Sequence, residues 1–421
     1  MPFSIQRSAI LCFAFAAFVL LEAPRHAVSS SLALGAEILS STGIRASLES
    51  PDGELKVGGE PVIQLSRKPK SHGTRPEFLS ATILPGRGMN LLQITANLPG
   101  KGEVEIFATP PIEEAAKTLN SEPENSQGVL SFTFGGAFLL PYANRIRGTL
   151  TPDGKNIRTE WNGKTLTLPA VWKGKTNPSA ELHAIHGLIL NRKADAVTVK
   201  TTSDGQILTG IIHAGDFDGH WPSKTDARIT ISLAGDAIEV AITVKNVGAE
   251  DEPMGIGWHP YFAFPSGDRK QVSLSIPASQ LAEVNNYDDV FPTGKLVPVE
   301  GTKYDFTSPQ GKQLDDIFLD DNFSSLTRKD GNVIVDVIDP AASYGLHIKG
   351  LSDKIRTIQV YAPPEKPFAA IEEQFNFADP FSGVWKGMDT GMVTLKPGHE
   401  VTWKVRLELF TPGKELAGTR K

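Results

Sequence analysis

From Glu77 onward, apolar and polar residues alternate along much of the chain, a pattern typical of β-strands that bury one face. Residues 229–233 alternate in this way, residues 234–236 (Ala-Gly-Asp) contain turn-forming types, and residues 238–244 alternate again. Two alternating runs joined by so short a turn predict an antiparallel hairpin with one apolar face.

Further alternating runs and one short helical segment complete the pattern. The helical segment is residues 110–119, where two prolines come first and a missing N–H costs little. The other alternating runs are residues 197–200, 333–338, 355–361 and 401–410. Strands this numerous, rich in β-branched and aromatic residues, predict an all-β fold, a large antiparallel β-sandwich with few short helices.

The N-terminus has the pattern of an export signal. Arg7 precedes an uninterrupted apolar run at residues 9–21, which is too short to span a bilayer but suits the apolar region of a secretory signal. The alternative is a buried core helix. We expect a signal peptide at residues 1–29, cleavage after Ser29 and a periplasmic or secreted protein. Residues 30–75 then form an N-terminal extension, and residues 76–421 form the β-sandwich domain.

Composition narrows the possible functions. The formal net charge of the 421 residues is -6, with both signs interspersed, so no basic stripe indicates nucleic acid or an anionic membrane. The single cysteine, Cys12, lies in the predicted signal. We therefore expect a mature chain without disulfides, thiolate metal sites or a cysteine nucleophile, and without membrane insertion.

Residues 257–262 (Gly-Trp-His-Pro-Tyr-Phe) interrupt the alternation with a histidine among aromatic residues. Pro260 biases His259 towards an extended conformation, and Trp258 and Tyr261 supply rings of the kind that stack on sugars. A histidine held there could act as a general acid near neutral pH. The alternative is a core histidine that is hydrogen-bonded to a backbone carbonyl.

Two other segments carry charged candidates. Glu372 follows an apolar run, and burial at a pocket would raise its pKa towards that of a useful base, whereas a solvated Glu-Glu loop is the alternative. Arg145 offers a forked donor for sugar hydroxyls, or is a surface arginine. His183 and His186 are three residues apart, but there is no HExxH motif or third ligand, and we predict no metal site and no cofactor.

Taken in order, these segments resemble the aldose 1-epimerase (galactose mutarotase-like) family over about residues 77–410. The resemblance rests on residues 141–148 (PYANRIRG), 185–187 (IHG), 257–262 (GWHPYF), 314–318 (LDDIF), 370–374 (AIEEQ) and 395–398 (LKPG). It implies the galactose mutarotase-like supersandwich fold. It also implies His259 as general acid, Glu372 as base and His186 as a further active-site histidine. The substrate-binding residues implied or suggested by their segments are Arg145, Asn144, Asp315, Trp258 and Tyr261.

Two departures from the family pattern bear on the site. Leu188 stands where the family often has a second glycine, and Glu373 is a second carboxylate beside the implied base. The choice of Glu372 over Glu373 therefore depends on the alignment alone.

The resemblance implies a mutarotase that interconverts the α and β anomers of a free aldohexose by acid–base ring opening and closure. A small-molecule sugar is then the partner, and no protein partner is required. Three alternatives remain: a hexose-6-phosphate 1-epimerase, a non-catalytic carbohydrate-binding β-sandwich, and a domain of a polysaccharide lyase or glycosidase.

Overall fold

A computed structural model describes residues 49–50 and 53–413 of the chain. The predicted signal peptide, Cys12 and most of the predicted extension lie outside these residues. None of the helices in the described part is both long and apolar enough to cross a membrane.

The N-terminal strands are a small sheet and the short strands that precede it. They are β1 (Glu49–Ser50), β2 (Gly53–Glu54), β3 (Lys56–Val57), β4 (Glu60–Pro61), β5 (Ile63–Ser66), β6 (Glu77–Leu84), β7 (Asn90–Leu98) and β8 (Gly102–Glu105). Strands β5 to β8 make a four-stranded antiparallel sheet in chain order. Because β5 pairs with β6, residues on both sides of the predicted boundary at residue 76 share this sheet.

Helices are short. The α-helices are α1 (Ile112–Asn120) and α2 (Leu130–Thr133), and the 3₁₀ helices are Glu124–Ser126, Arg269–Gln271, Pro340–Ala342 and Gly383–Trp385. Helix α1 lies where the prolines at 110 and 111 predict it, and it buries Ala115, Ala116 and Leu119. The prediction of few short helices is confirmed.

The middle of the chain alternates between short strands and long ones. The strands of this part are β9 (Ala137–Leu139), β10 (Arg145–Ile146), β11 (Thr149–Leu150), β12 (Asn156–Trp161), β13 (Lys164–Pro169), β14 (Ala184–Ile185), β15 (Ala196–Thr201), β16 (Gln206–Gly215), β17 (Thr225–Leu233), β18 (Ala237–Asn246), β19 (Glu252–Met254), β20 (Gly257–His259) and β21 (Tyr261–Ala263). Strands β17 and β18 are the predicted hairpin.

The C-terminal strands complete two large sheets. They are β22 (Ser273–Ser275), β23 (Ala278–Val284), β24 (Pro292–Pro298), β25 (Lys312–Gln313), β26 (Leu319–Leu326), β27 (Val333–Asp339), β28 (Tyr344–Gly350), β29 (Thr357–Ala362), β30 (Phe368–Gln374), β31 (Val393–Leu395) and β32 (Glu400–Phe410). The nine-stranded sheet has the order β15-β16-β17-β18-β32-β28-β27-β22-β25, and the six-stranded sheet has the order β21-β30-β29-β26-β23-β24.

These sheets form the predicted antiparallel β-sandwich, which is confirmed. One continuous apolar core joins the nine-stranded, six-stranded and four-stranded sheets, because every second residue of their strands points inward. Trp403 of β32 spans the layers: its indole N–H donates to the backbone oxygen of Glu373 on β30 at 2.9 Å. Such burial of apolar surface is the main stabilising contribution to the fold.

The short strands between the sheets position the functional residues. Strand β9 pairs with β20, which sets His259 opposite Ala137, and β10 pairs with β14, which sets Arg145 opposite Ile185. Strand β21 pairs with β30, so that Tyr261 lies opposite Ala370. Distant segments of the chain are thereby held side by side at one end of the six-stranded sheet.

Candidate active site

A cavity at this end of the molecule collects most of the predicted residues. His186, His259, Glu372, Arg145 and Tyr261 all line it. The histidines and the glutamate are buried, with exposures of 4%, 5% and 1%. Residues that lie 227 positions apart in the chain, Arg145 and Glu372, are thus brought to one cavity wall.

A histidine and a carboxylate are in contact at the buried end of the cavity. The His259 Nε2 atom lies 3.3 Å from the Glu372 Oε1 atom, and the amide of Gln374 donates to the Glu372 Oε2 atom at 2.8 Å. Tyr261 follows His259 by two residues on the same face, and the two ring centroids are 5.1 Å apart. This pair can pass a proton within the site.

Burial shifts the pKa values of this pair in opposite directions. Burial raises the pKa of Glu372 well above its usual range, with the Gln374 hydrogen bond opposing and Asp320 adding to the rise. Burial lowers the pKa of His259 to about 3. Since desolvation disfavours the charged form of each group, burial favours a protonated Glu372 beside a neutral His259.

The second histidine is held by backbone in an uncommon conformation. Asn144 and His186 have φ angles of 63° and 57°, and the His186 N–H donates to the Asn144 carbonyl at 2.9 Å. Gly187 follows because a Cβ there would lie 2.3 Å from the Leu140 carbonyl oxygen. Left-handed residues outside glycine often mark functional sites. The His186 ring contacts His259 edge-on at 4.9 Å, and burial lowers its pKa well below the usual value.

Arg145 is oriented by a network of polar side chains. Its Nη2 atom lies 3.5 Å from the Asp320 Oδ2 atom, and its Nη1 atom donates to Asn144 Oδ1 at 3.2 Å. Gln359 donates to Asp320 at 2.8 Å and accepts from Asn144 at 3.0 Å. Burial raises the pKa of Asp320, while Arg145 opposes the rise. Asn144 therefore lies behind the cavity, where it orients Arg145.

Two further predicted binding residues, Asp315 and Trp258, do not line the cavity. Asp315 is exposed and does not line the cavity; its backbone oxygen accepts from Arg269 at 2.8 Å. Trp258 points into the core, where its indole N–H donates to the Gly136 carbonyl at 3.1 Å. The physical reason is the strand alternation: Trp258 neighbours His259 on β20 and so faces the opposite side.

Sequence reasoning missed several residues of the cavity. Asp320, Gln359, Phe132, Tyr287, Phe318 and Tyr361 all line it. For two of them, the alternation of apolar and polar residues along a strand could have indicated which face they occupy. Gln359 and Tyr361 stand between the buried core residues Ile358, Val360 and Ala362 of β29, so they must face the other side of the sheet.

The histidine pair that suggested a metal is divided between two environments. His183 is fully buried outside the cavity, and its Nδ1 atom contacts the Glu181 carbonyl at 2.9 Å. Across residues 49–50 and 53–413, no group of three or more His, Cys, Asp or Glu side chains is arranged to hold a metal ion.

Comparisons with known proteins agree with this architecture. The sequence model of the aldose 1-epimerase family matches residues 117–408. The chain is 25% identical over 197 residues to the galactose mutarotase of Homo sapiens, covering 45% of this chain and 51% of that protein. It is 28% identical over 137 residues to the uncharacterized protein YphB of Escherichia coli K12, covering 32% of this chain and 40% of that protein. The matches thus span about half or less of these curated relatives.

Among solved structures, a galactose mutarotase-like protein from Clostridium acetobutylicum has a TM-score of 0.66 at 18% identity, covering 85% of this chain and 98% of that one. A putative aldose 1-epimerase from Escherichia coli K12 has a TM-score of 0.58 at 16% identity, covering 83% and 99%. At these identities the similarity concerns the fold.

Proposed function

This chain belongs to the aldose 1-epimerase family, and from that premise we propose that it is an isomerase that interconverts the α and β anomers of a free aldohexose. The observation that carries the proposal is the 3.3 Å contact between His259 and Glu372 at the buried end of an open cavity. An acid and a base that lie at so short a distance can carry out the two proton transfers of a ring-opening step.

The proposed reaction moves one proton on and one proton off the sugar. The Glu372 carboxylate removes the proton from the anomeric hydroxyl, and the protonated His259 donates a proton to the ring oxygen. The C1–O5 bond breaks and a carbonyl forms at C1. Rotation about C1–C2 and reversal of both transfers then close the ring with the other anomeric configuration.

The pKa shifts support this assignment of roles. A carboxylate whose pKa is raised is a stronger base, and an imidazolium whose pKa is lowered is a stronger acid. Ring opening leaves a neutral His259 and a protonated Glu372, which is also the arrangement that burial favours. Before ring opening, one proton moved from Glu372 to His259 across the 3.3 Å contact forms the ion pair that starts the cycle.

The remaining cavity residues have supporting roles in the proposal. Arg145 and Asp320 would bind sugar hydroxyls as a charged pair, and His186 would support charge that develops on oxygen. The side chains around the reacting pair are either aromatic or held in hydrogen bonds and ion pairs. An example is Phe132, whose ring makes an edge contact with His186 at 4.6 Å. Surroundings of this kind favour a neutral sugar over a phosphorylated one.

A time course tests the proposal. Fresh α-glucose and α-galactose are followed by polarimetry or NMR, with and without a chelator. We expect faster anomer exchange that the chelator leaves unchanged. A strong preference for hexose 6-phosphate would favour the phosphate-specific epimerase, and binding without acceleration would favour a carbohydrate-binding sandwich.

Export is a separate proposal, which rests on Arg7 and the apolar run at residues 9–21. The protein would then act in the periplasm or outside the cell. N-terminal sequencing of protein from native cells tests it: we expect a start between about residues 27 and 36, and an intact Met1 would contradict it.

A further inference from the structure

The cavity wall changes character between its buried end and its opening. The buried end carries His186, His259 and Glu372, all at 5% exposure or less. The outer part is lined by Tyr287, Phe318, Tyr361 and Trp172, of which Tyr287 is 41% exposed. The proton-transfer groups therefore occupy one end of the cavity, and a set of aromatic rings occupies the other.

The strand register explains this gradient. Gln359 pairs with Glu372 across β29 and β30, and two residues further along β29, Tyr361 pairs with Ala370 and with Asp320. Side chains two residues apart share a face, and the step between them is about 6.6 Å. Phe318 precedes Asp320 by two residues. The cavity floor thus runs from a polar row through Tyr361 towards Phe318.

The outer rings form a supported cluster. Phe318 makes edge contacts with Tyr287, at a centroid separation of 5.2 Å, and with Tyr361, at 6.4 Å. The Tyr287 hydroxyl is held by the buried Asp321 at 2.8 Å and by Tyr304 at 2.7 Å. A half-exposed ring whose hydroxyl is fixed from behind is a preorganised surface for a ligand.

Trp172 lines the cavity from another segment. It follows β13, and its ring contacts Phe132 at 5.1 Å. Phe132 in turn contacts His259 at 5.4 Å. This chain of ring contacts runs from the outer cavity to the reacting pair, and all of its rings line one cavity.

The charges at the opening are of both signs. Lys173 and Lys175 are accompanied by Glu365 and Asp288, and the Asp288 carboxylate accepts from the Thr176 and Asn177 backbone N–H groups at 2.9 Å each. A mixed rim around aromatic walls suits an uncharged ligand with apolar faces and hydroxyl edges, whereas a phosphate or carboxylate would call for a surplus of cations.

We propose that the outer part of the cavity is a subsite for the second ring of a neutral reducing disaccharide, an inference that rests on the proposed function. The reducing-end ring would lie between Glu372, His259, Arg145 and Asp320. The second ring would lie against Tyr287, Phe318 and Tyr361. Stacking of its C–H face on these rings adds affinity that a monosaccharide cannot obtain.

Polarimetry with two classes of sugar tests the subsite. The kcat/KM for anomer exchange is measured for glucose and galactose and for maltose, cellobiose and lactose, in the wild-type protein and in Phe318→Ala and Tyr287→Ala. We expect the best disaccharide to exceed its own reducing-end monosaccharide, and each variant to lower that ratio about three- to tenfold. Phe410→Ala is the matched control, because this ring stacks on His347 on the outer face of the nine-stranded sheet; its ratio should equal that of the wild type.

Binding separates the two ways in which this experiment can fail. Tryptophan fluorescence titration reports affinity for the same sugars without turnover. If monosaccharides are epimerised but disaccharides show no advantage, or if Phe318→Ala leaves the ratio unchanged, the subsite is overturned and the proposed function stands. If no sugar is epimerised, the proposed function fails, and tighter binding of disaccharides that Phe318→Ala abolishes would still support the subsite.

Discussion

The two faces of strand β30 place neighbouring glutamates in different surroundings. Glu372 faces the cavity, 3.3 Å from His259. Glu373 faces the core between the sheets, where its Oε2 atom lies 2.3 Å from the position that a Cβ on Gly350 would take. Both side chains are at 2% exposure or less, and burial raises the pKa of both well above the usual range.

The difference between them shows what a raised pKa does and does not indicate. Desolvation acts on any buried carboxyl, so the shift alone cannot distinguish a base from a structural acid. Only Glu372 also has a histidine partner and an open path for a ligand. Function on this strand therefore follows from access and geometry, and five experiments test that conclusion.

The largest effect is expected for Glu372→Gln, which removes the proposed base and keeps its shape. The kcat for anomer exchange should fall about 10²- to 10⁴-fold, the usual contribution of a positioned acid or base. Glu373→Gln, on the other face, should retain most activity. The comparison is reversed if NMR exchange rates show an active Glu372→Gln and an inactive Glu373→Gln.

A similar loss is expected for His259→Asn, because the proposed acid acts in the same transition state. Groups that act as a unit are not additive, so Glu372→Gln/His259→Asn should be little worse than the poorer single variant. The anomer-exchange rates of the two single variants and the double variant, compared with the wild type, measure this non-additivity. A double variant whose loss equals the product of the two single losses would mean that the residues act independently.

Gly350→Ala should perturb the core face alone. The added Cβ would meet the Glu373 carboxylate at 2.3 Å and the Ile355 Cδ1 atom at 2.8 Å, and such overpacking costs about 1–3 kcal/mol of unfolding free energy. Urea denaturation measures it. Gly383→Ala is the control, since nothing lies within 4 Å of its added Cβ. Equal stability of the two variants would mean that the space beside Glu373 is not tightly packed.

Substitutions of the two aspartates near the start of β26 should have different effects on KM. Asp320→Asn removes the charge that faces Arg145 at 3.5 Å, and we expect KM to rise about tenfold, as for loss of a charge-assisted hydrogen bond. Asp315→Asn should leave KM unchanged, because Asp315 is exposed outside the cavity. Substrate-saturation curves compare them, and the opposite ranking would restore Asp315 as the binding residue.

The smallest expected effect is a shift of the pH profile. The pair holds one proton between the pKa of His259, about 3, and the raised pKa of Glu372. Below this pH range Glu372 cannot accept a proton, and above it the pair has no proton to donate. The plot of kcat/KM against pH should therefore be bell-shaped. Gln374→Met removes a hydrogen bond that lowers the pKa of Glu372. The basic limb of the pH profile of this variant should therefore move to higher pH by about one unit. A shift to lower pH would contradict the assignment of Glu372 as the base.

Much of the site was predictable because its residues stand in short, distinctive segments. His259 precedes a proline within an aromatic run, Arg145 follows Pro-Tyr-Ala-Asn, and Glu372 follows an apolar run. All three line the cavity. Asp320 and Gln359 have no such context, because their roles arise from cross-strand pairing with Tyr361 and Glu372. A single sequence does not contain that pairing.

The all-β class, the hairpin of β17 and β18 and the two faces of each strand follow from the amino-acid sequence, because side chains alternate with a period of two in any strand. Tertiary structure alone decided which face meets the cavity and which meets the core. It turned Trp258 inward, left Asp315 outside and put Glu372 beside His259. Those outcomes depend on how β20, β26 and β30 are placed in space, since register and layer packing join residues that are more than a hundred positions apart.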